Sequence, residues 1–427
     1  MRLTKSPQCF PPDDVLFPPP KSSTSPIRVV VTGTGIVTSL GAGWRQNAVG
    51  FRTGRRAIRA VTLFDVSQQR AKIAGEVDLP TPLPTPRLPV RKLHRLDRAA
   101  RMLLLAAGEA WTQSGWLPGE NLPLVLGTTS GGMMWGESFL KQSLTSPDTR
   151  RRQPTRVVHY NAQQQALNVC EALNFRGPVT VIANACASGA NAIGEAFELI
   201  RHGCAPRVFT GGYDALCQLT FAGFDSLQAL SPTECRPFDA QRDGLTLGEG
   251  AAMLTLESLD HARQRNAEIL GEIVGYGAVT DNHHLTQPHP QGDAAWAAMR
   301  AACATANISP AQVDYINAHG TATPQNDATE TVAINRWAGE RAVTLPVSST
   351  KAGIGHSLGA AGAVEAVVSL IALREQWLPP QRGLAQPDPA CRFHIVTEPT
   401  DAKIATALSN SFGFGGANAT LALRRWS

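Results

Sequence analysis

Val179-Thr-Val-Ile-Ala-Asn-Ala-Cys-Ala-Ser-Gly-Ala-Asn-Ala-Ile193 is the stretch on which the fold turns. Its first four residues are β-branched or apolar and read as a buried strand. Ile193, Phe197 and Ile200 then recur at helical spacing, and Gly203 is placed to stop that helix. Cys186 falls between strand and helix, among small residues, where the helix's first free N–H groups point. The positive end of the helix dipole favours a thiolate there, so the sequence predicts a lowered thiol pKa. Small neighbours leave room for a substrate carbonyl. A single cysteine after a strand is more often a small buried hydrophobe, so the rest of the chain must decide its role.

The chain has 427 residues, of which 43% are hydrophobic and 17% charged; this is a globular composition with enough length for two domains or one duplicated α/β unit. Apolar runs fall well short of a membrane span. Residues 1–26 are rich in Pro and Ser, lack the apolar core of a signal peptide, and read as a flexible N-terminal extension. The eight cysteines form no Cys-x-x-Cys pair, which fits neither a disulfide framework nor a zinc site and points to a reducing cytoplasm. A net charge of +5 is mild, but basic residues cluster at Arg52, Arg55 and Arg56, at Arg87, Arg91, Lys92, Arg95 and Arg98, and at Arg150, Arg151, Arg152 and Arg156. Without interleaved aromatics or a nucleic-acid motif, these clusters read as solvated faces or as docking sites for an acidic partner.

Arg28-Val-Val-Val-Thr-Gly-Thr-Gly-Ile-Val-Thr38 reads as a strand entering a glycine turn. It is not a dinucleotide site, because Thr38 stands where the third glycine of G-x-G-x-x-G belongs. The same pattern returns later: Gly33, Gly35, Val37 and Thr38 match Gly275, Gly277, Val279 and Thr280. Residues 313–321 close on Gly-Thr as 124–128 do. Residues 345–351 lead into a small-residue helix as 179–186 do, and 407–416 match the strand and turn at 207–212. Four elements recurring in one order, at a period too long for a solenoid, imply two similar α/β halves. The division falls at 27–266 for the first half and 267–427 for the second, with site loops from both meeting between them.

The second half supplies partners for Cys186. His319 follows a β-run in Asn-Ala-His-Gly-Thr-Ala-Thr323, and His356 lies five residues after Lys351 in a Gly/Ala-rich segment. No zinc spacing accompanies them, and no metal is expected. His283, His284 and His289 read as a loop cluster, ordinary or beside the substrate. A cysteine with histidine partners fits a protease, a transglutaminase-like acyl transferase or a thiolase-type condensing enzyme.

The order Cys186, His319, Lys351-x-x-x-x-His356, then Asn410-Ser-Phe-Gly-Phe-Gly-Gly-Ala-Asn418, resembles the β-ketoacyl-acyl carrier protein synthases, nearest to the elongating group I/II enzymes, over residues 27–423. The resemblance implies a thiolase fold with two halves stacked as α-β-α-β-α layers, and a homodimer formed through the strand before Cys186, or a heterodimer with a related chain. It implies a decarboxylative Claisen condensation of malonyl-carrier protein with an acyl chain held on Cys186, without a cofactor beyond the carrier's phosphopantetheine. Backbone N–H groups of Cys186 and Phe414 would form the oxyanion hole, with Phe414 as gate. His319 and His356 would stabilise the enolate. Lys351 would orient the site, paired with Glu330 in a network supported by Asp327. Thr321 and Thr323 match pantetheine-binding positions, and Arg91, Lys92 and Arg95 match a carrier-protein docking patch. Ser130 and Phe224 match the acyl pocket. Ser130, Gln228, Leu245 and His94 depart from the housekeeping pattern, which suggests a specialised polyene or polyketide-like substrate. A non-catalytic, chain-length-factor-like partner is the competing reading; such chains lose the nucleophile that Cys186 supplies here.

Overall fold

The computed structural model describes residues 26–83, 88–145, 157, 158 and 160–427. The N-terminal extension, Arg87 and the Arg150 to Arg156 cluster lie outside the described residues. Ten strands carry the architecture: β1 (Val29–Thr38), β2 (Leu124–Gly127), β3 (Val179–Ile182), β4 (Arg207–Asp214), β5 (Gly250–Ser258), β6 (Gly271–Thr280), β7 (Tyr315–Asn317), β8 (Pro346–Ser348), β9 (Thr406–Gly413) and β10 (Ala417–Arg424). The helices that matter are α1 (Arg98–Ser114), α2 (Gln163–Leu173), α3 (Ser188–Arg201), α4 (Asp293–Ala306), α5 (Pro324–Ala338) and α6 (Ala361–Glu375).

The two halves repeat strand for strand. In the first, β1 pairs with β5 and β5 with β4 antiparallel, whereas β4 with β2 and β2 with β3 are parallel. In the second, β6 pairs with β10 and β10 with β9 antiparallel, and β9 with β7 and β7 with β8 are parallel. All four repeats read from sequence fall on equivalent strands. A short antiparallel register, Val29 to Ile273 through Val31 to Gly271, joins the halves edge to edge. Helices α3 and α6 pack together between the two halves of this continuous sheet, α1 and α2 cover one outer face, and α4 and α5 the other. Helix α6 is buried on every side from Ala361 to Leu373, as a middle layer requires. The result is the α-β-α-β-α stack.

The Gly33 and Gly35 stretch is not a turn. Strand β1 continues through both glycines, with a register shift between Val31 and Gly33, and a Cβ at either would collide with the carbonyl of Ala110 or Ala106 on α1. Gly275 and Gly277 stand in the same relation to Ala302 and Ala298 of α4. The repeated glycines let an outer helix lie directly on its strand.

Helix ends follow from local chemistry. Asp97 caps α1 by accepting from Ala100 N at 2.6 Å, and Gly115 closes it with a φ of 69°.

Candidate active site

Strand β3 ends at Ile182 and a single 3-10 turn, Ala185–Ala187, carries Cys186 just ahead of α3. Across from it, the turn after β7 carries His319, a short helix after β8 (Lys351–Ile354) begins with Lys351, and His356 precedes α6. Cys186, His319, His356, Phe414, Thr321, Thr323 and Phe224 all line one cavity of about 320 Å³. The imidazoles of His319 and His356 lie edge to face, 5.3 Å between centroids at 85°.

Full burial pushes the Cys186 thiol up to about 12, while the Lys351 charge and the Phe414 N–H pull the other way. The lowered pKa expected from the helix end is therefore corrected: desolvation of the thiolate outweighs the favourable dipole and charge. Burial and the nearby Lys351 hold both imidazoles well below the usual histidine value, so both are neutral at pH 7. Lys351 Nζ lies 3.4 Å from His319 Nδ1 and donates to the His319 carbonyl at 2.6 Å. An ammonium can only donate, so Nδ1 accepts and Nε2 carries the ring's N–H. Among the described residues neither ring nitrogen of His356 has a hydrogen-bond partner.

Lys351 does not pair with Glu330. Its ion-pair partner is Glu365, buried on α6, which the sequence reading missed. Glu330 instead accepts from His319 N at 2.9 Å, Gly320 N at 2.8 Å and Asn410 Nδ2 at 3.2 Å. Asp327 accepts from Thr321 N at 3.0 Å, Ala322 N at 3.1 Å and Phe238 N at 2.8 Å. The two carboxylates thus splint the backbone of the His319 turn, and reach Lys351 only through the His319 peptide. Burial pushes both Glu330 and Glu365 up to about 7. One carboxylate inside an otherwise apolar helix was the available signal for Glu365, because a buried charge needs a partner.

Phe224 stacks on Phe414 at 5.7 Å and 19°. Thr321 and Thr323 share a hydroxyl contact of 2.9 Å at the cavity wall. Gln228, Leu245 and His284 line the same cavity, which places His284 beside any substrate there. Ser130 does not line it: its hydroxyl meets Thr220, one helical turn from Phe224, at 3.3 Å. Arg91, Lys92 and Arg95 share a separate surface groove with Pro89, Leu96 and Val158. Lys92 is already bound to Glu171, and Arg98 of the predicted basic cluster is bound to the buried Glu249, so Arg98 does not belong to that face. In the first cluster, Arg52 and Arg56 pair with Asp401 and Glu234.

Among the described residues no three His, Cys, Asp or Glu side chains converge as a metal site, and no helix is long and apolar enough to cross a membrane.

Comparison with known proteins agrees with this geometry. Residues 27–262 match the β-ketoacyl synthase N-terminal domain and residues 270–385 its C-terminal domain. The 3-oxoacyl-[acyl-carrier-protein] synthase 2 of Synechocystis sp. is 38% identical over 415 residues, covering 93% of this chain and 98% of the relative. The enzyme of the same name from Staphylococcus aureus strain MRSA252 is 38% identical over 411 residues, covering 94% and 99%. Among solved structures, the ishigamide ketosynthase/chain length factor superposes with a TM-score of 0.87 at 31% identity, over 94% of this chain and 100% of that one. With a shared fold, matching domains and near full-length relatives, the chain belongs to the β-ketoacyl synthase family.

Proposed function

We propose that this protein is a β-ketoacyl-acyl carrier protein synthase in which Cys186 holds the growing acyl chain. The observation that carries the reading is the meeting of Cys186 from the first half with His319 and His356 from the second in one cavity. In the loading step, the Cys186 sulfur attacks the carrier thioester; a C–S bond to Cys186 forms, and the carrier's thiol leaves with the proton. Burial keeps the resting thiol protonated, so its proton moves as substrate binds, with the Lys351 charge favouring the thiolate. The backbone N–H of Phe414, aimed at the sulfur, and that of Cys186 are the oxyanion donors.

The malonyl thioester enters next, its pantetheine arm held by Thr321 and Thr323. Carbon dioxide leaves, and the electrons of the broken C–C bond pass to the thioester oxygen as an enolate. Two neutral imidazoles, with His319 donating from Nε2, are suited to that charge because they are fixed donors in a dry site. The enolate carbon then attacks the acyl-cysteine; a C–C bond forms, the C–S bond breaks, and the Cys186 thiolate regains a proton. Lys351, held by Glu365, sets the tautomer of His319, while Glu330 and Asp327 hold its turn. The stacked Phe224 and Phe414 close the acyl side of the cavity.

The partner is an acyl carrier protein, docked by its acidic face on the groove of Arg91 and Arg95, with Lys92 freed from Glu171 on contact. Strand β3, paired on one side only among the described residues, is the edge where a second copy or a related chain would add. The boundary between halves is placed at 266 and 267, just before β6, and the location is the cytoplasm. The presence of Cys186 within reach of both histidines' cavity favours condensation over a non-catalytic role. Intact mass after incubation with acyl carrier proteins tests the proposal. An acyl adduct on Cys186 that disappears when malonyl carrier is added is expected. Absence of any adduct with every chain offered would overturn it.

A further inference from the structure

We propose that Asp214 is the positioning residue that sets where His356 stands relative to Cys186. Among the described residues no hydrogen bond reaches either nitrogen of the His356 ring, which packs edge to face on His319, so no polar contact aims it and its placement follows its backbone. That backbone is anchored to the first half at three points. His356 N donates to Thr246 O at 2.7 Å, and Gly248 N donates to His356 O at 2.9 Å. Three residues on, Gly359 N donates to Asp214 Oδ2 at 2.6 Å. The first two anchors are peptide to peptide. Asp214 is the side chain among them.

The same carboxylate grips the turn after β2. It accepts from Thr128 Oγ1 at 2.9 Å, Thr129 N at 2.8 Å, Ser130 N at 2.7 Å and Gly131 N at 3.2 Å. Its partners are four backbone N–H groups and one hydroxyl, with no cation among them, and the carboxylate is fully buried. It therefore tolerates burial only while every donor stays in place. Burial does raise its pKa to about 6.

The surrounding backbone leaves no slack. A Cβ at Gly359 would sit 2.5 Å from Thr129 N and 2.7 Å from Asp214 Oδ2. A Cβ at Gly189, three residues after Cys186, would sit 2.7 Å from Gly359 O and 2.9 Å from Ala363 N. The start of α3, which follows Cys186, and the start of α6, which follows His356, thus touch through glycine. Asp214 is the polar pin in that seam. Loss of the pin lets the α6 entry, and His356 with it, drift from Cys186. A misplacement of about 1 Å is worth about 10²-fold in rate.

The inference rests on the proposed reaction, in which Cys186 alone loads the acyl chain and His356 serves the malonyl step. The test is Asp214→Asn, assayed separately for acyl transfer to Cys186 and for malonyl decarboxylation. The expected result is a fall in decarboxylation kcat of about 10²-fold, with KM for the malonyl carrier within about threefold, whereas loading should hold or rise, because loss of the Asp214 charge favours the Cys186 thiolate. Thr128→Val, which removes one of the five contacts and is nearly isosteric, is the second variant; the same split at a few-fold size is expected. Equal loss of both half-reactions, or no loss in either, would overturn the positioning role. Crystal structures of wild type and Asp214→Asn read the geometry itself. If wild type performs neither half-reaction, the proposed function falls, and these structures still decide the pin. A displaced His356 segment supports it, and an unmoved one refutes it.

Discussion

The two halves build the same strand–turn–helix corner and use it differently. In the first, β3 leads through a 3-10 turn to α3, and the corner presents Cys186. In the second, β8 leads through Lys351 and His356 to α6. The neighbouring corners differ in the same way: the turn after β2 ends in Thr128, Thr129 and Ser130, whereas the turn after β7 ends in His319. Both neighbouring turns are fixed by buried carboxylates accepting successive backbone N–H groups. Asp214 holds the first from a strand end, and Glu330 with Asp327 holds the second from α5. The duplication thus preserved a rigid frame for a loop, and the chemistry diverged in which side chain the loop offers. On the proposed mechanism, covalent storage falls to one half and charge stabilisation to the other.

That division predicts mutants that fail in opposite ways. Cys186→Ala removes the acyl acceptor, so loading should fall by about 10⁴-fold or more, to the detection limit. Malonyl decarboxylation, whose proposed donors His319 and His356 both lie in the second half, should persist. Radiolabelled carbon dioxide release and intact mass, measured on one sample, check both. His356→Ala should do the reverse, losing about 10²- to 10³-fold in decarboxylation, as for removal of an oxyanion donor. Loading should stay within a few-fold. If either variant lost both steps together, the halves would not be chemically separable.

Much of this is legible in the sequence alone. Cys186, His319, Lys351 and His356 stand out because each sits among small residues in a connection that follows a strand, where side chains have room to serve a substrate. The duplication was legible because equivalent strands kept equivalent glycines. What those glycines do was not: in Gly33 and Gly35 the missing Cβ serves a helix lying overhead, and a local pattern looks the same for a turn. Glu365 was overlooked because a carboxylate inside α6 reveals its partner only when Lys351 is folded against it. The Cys186 pKa was misjudged because a dipole can be read from a helix start, whereas desolvation depends on everything packed around it.

The halves should also answer differently to pH. With the thiol raised to about 12, the thiolate fraction of Cys186 grows about tenfold per pH unit from 7 to 9. Iodoacetamide labelling of Cys186 in the free protein should rise by that factor, without a plateau in the range. The imidazoles respond in the other sense. Their lowered pKa values mean that protonation, which would replace a neutral donor by a cation, occurs only well below pH 6.5. Between pH 7.5 and 6.5, ¹⁵N spectra of labelled histidine should therefore report both rings neutral, and any step in decarboxylation there would belong to Glu330 and Glu365, which are raised to about 7. A labelling plateau below pH 8 would mean that the dipole at the start of α3 prevails over burial after all.

The smallest effect tests the frame itself. Gly35 and Gly277 occupy equivalent places, β1 beneath α1 and β6 beneath α4, and each lies against a helix carbonyl, of Ala106 and Ala298 respectively. Neither has a positive φ, so alanine brings steric conflict without backbone strain. Overpacking of this kind costs about 1–3 kcal/mol. Gly35→Ala and Gly277→Ala should each lower the denaturation midpoint by a similar amount, with the acyl-loading and decarboxylation rates of the folded protein little changed. Urea unfolding of the two variants side by side measures it. Matching losses would show that the halves carry the same load at the same point. A loss confined to one would mean that its helix can shift outward and the other cannot, and the repeat would then be one of topology without equal packing.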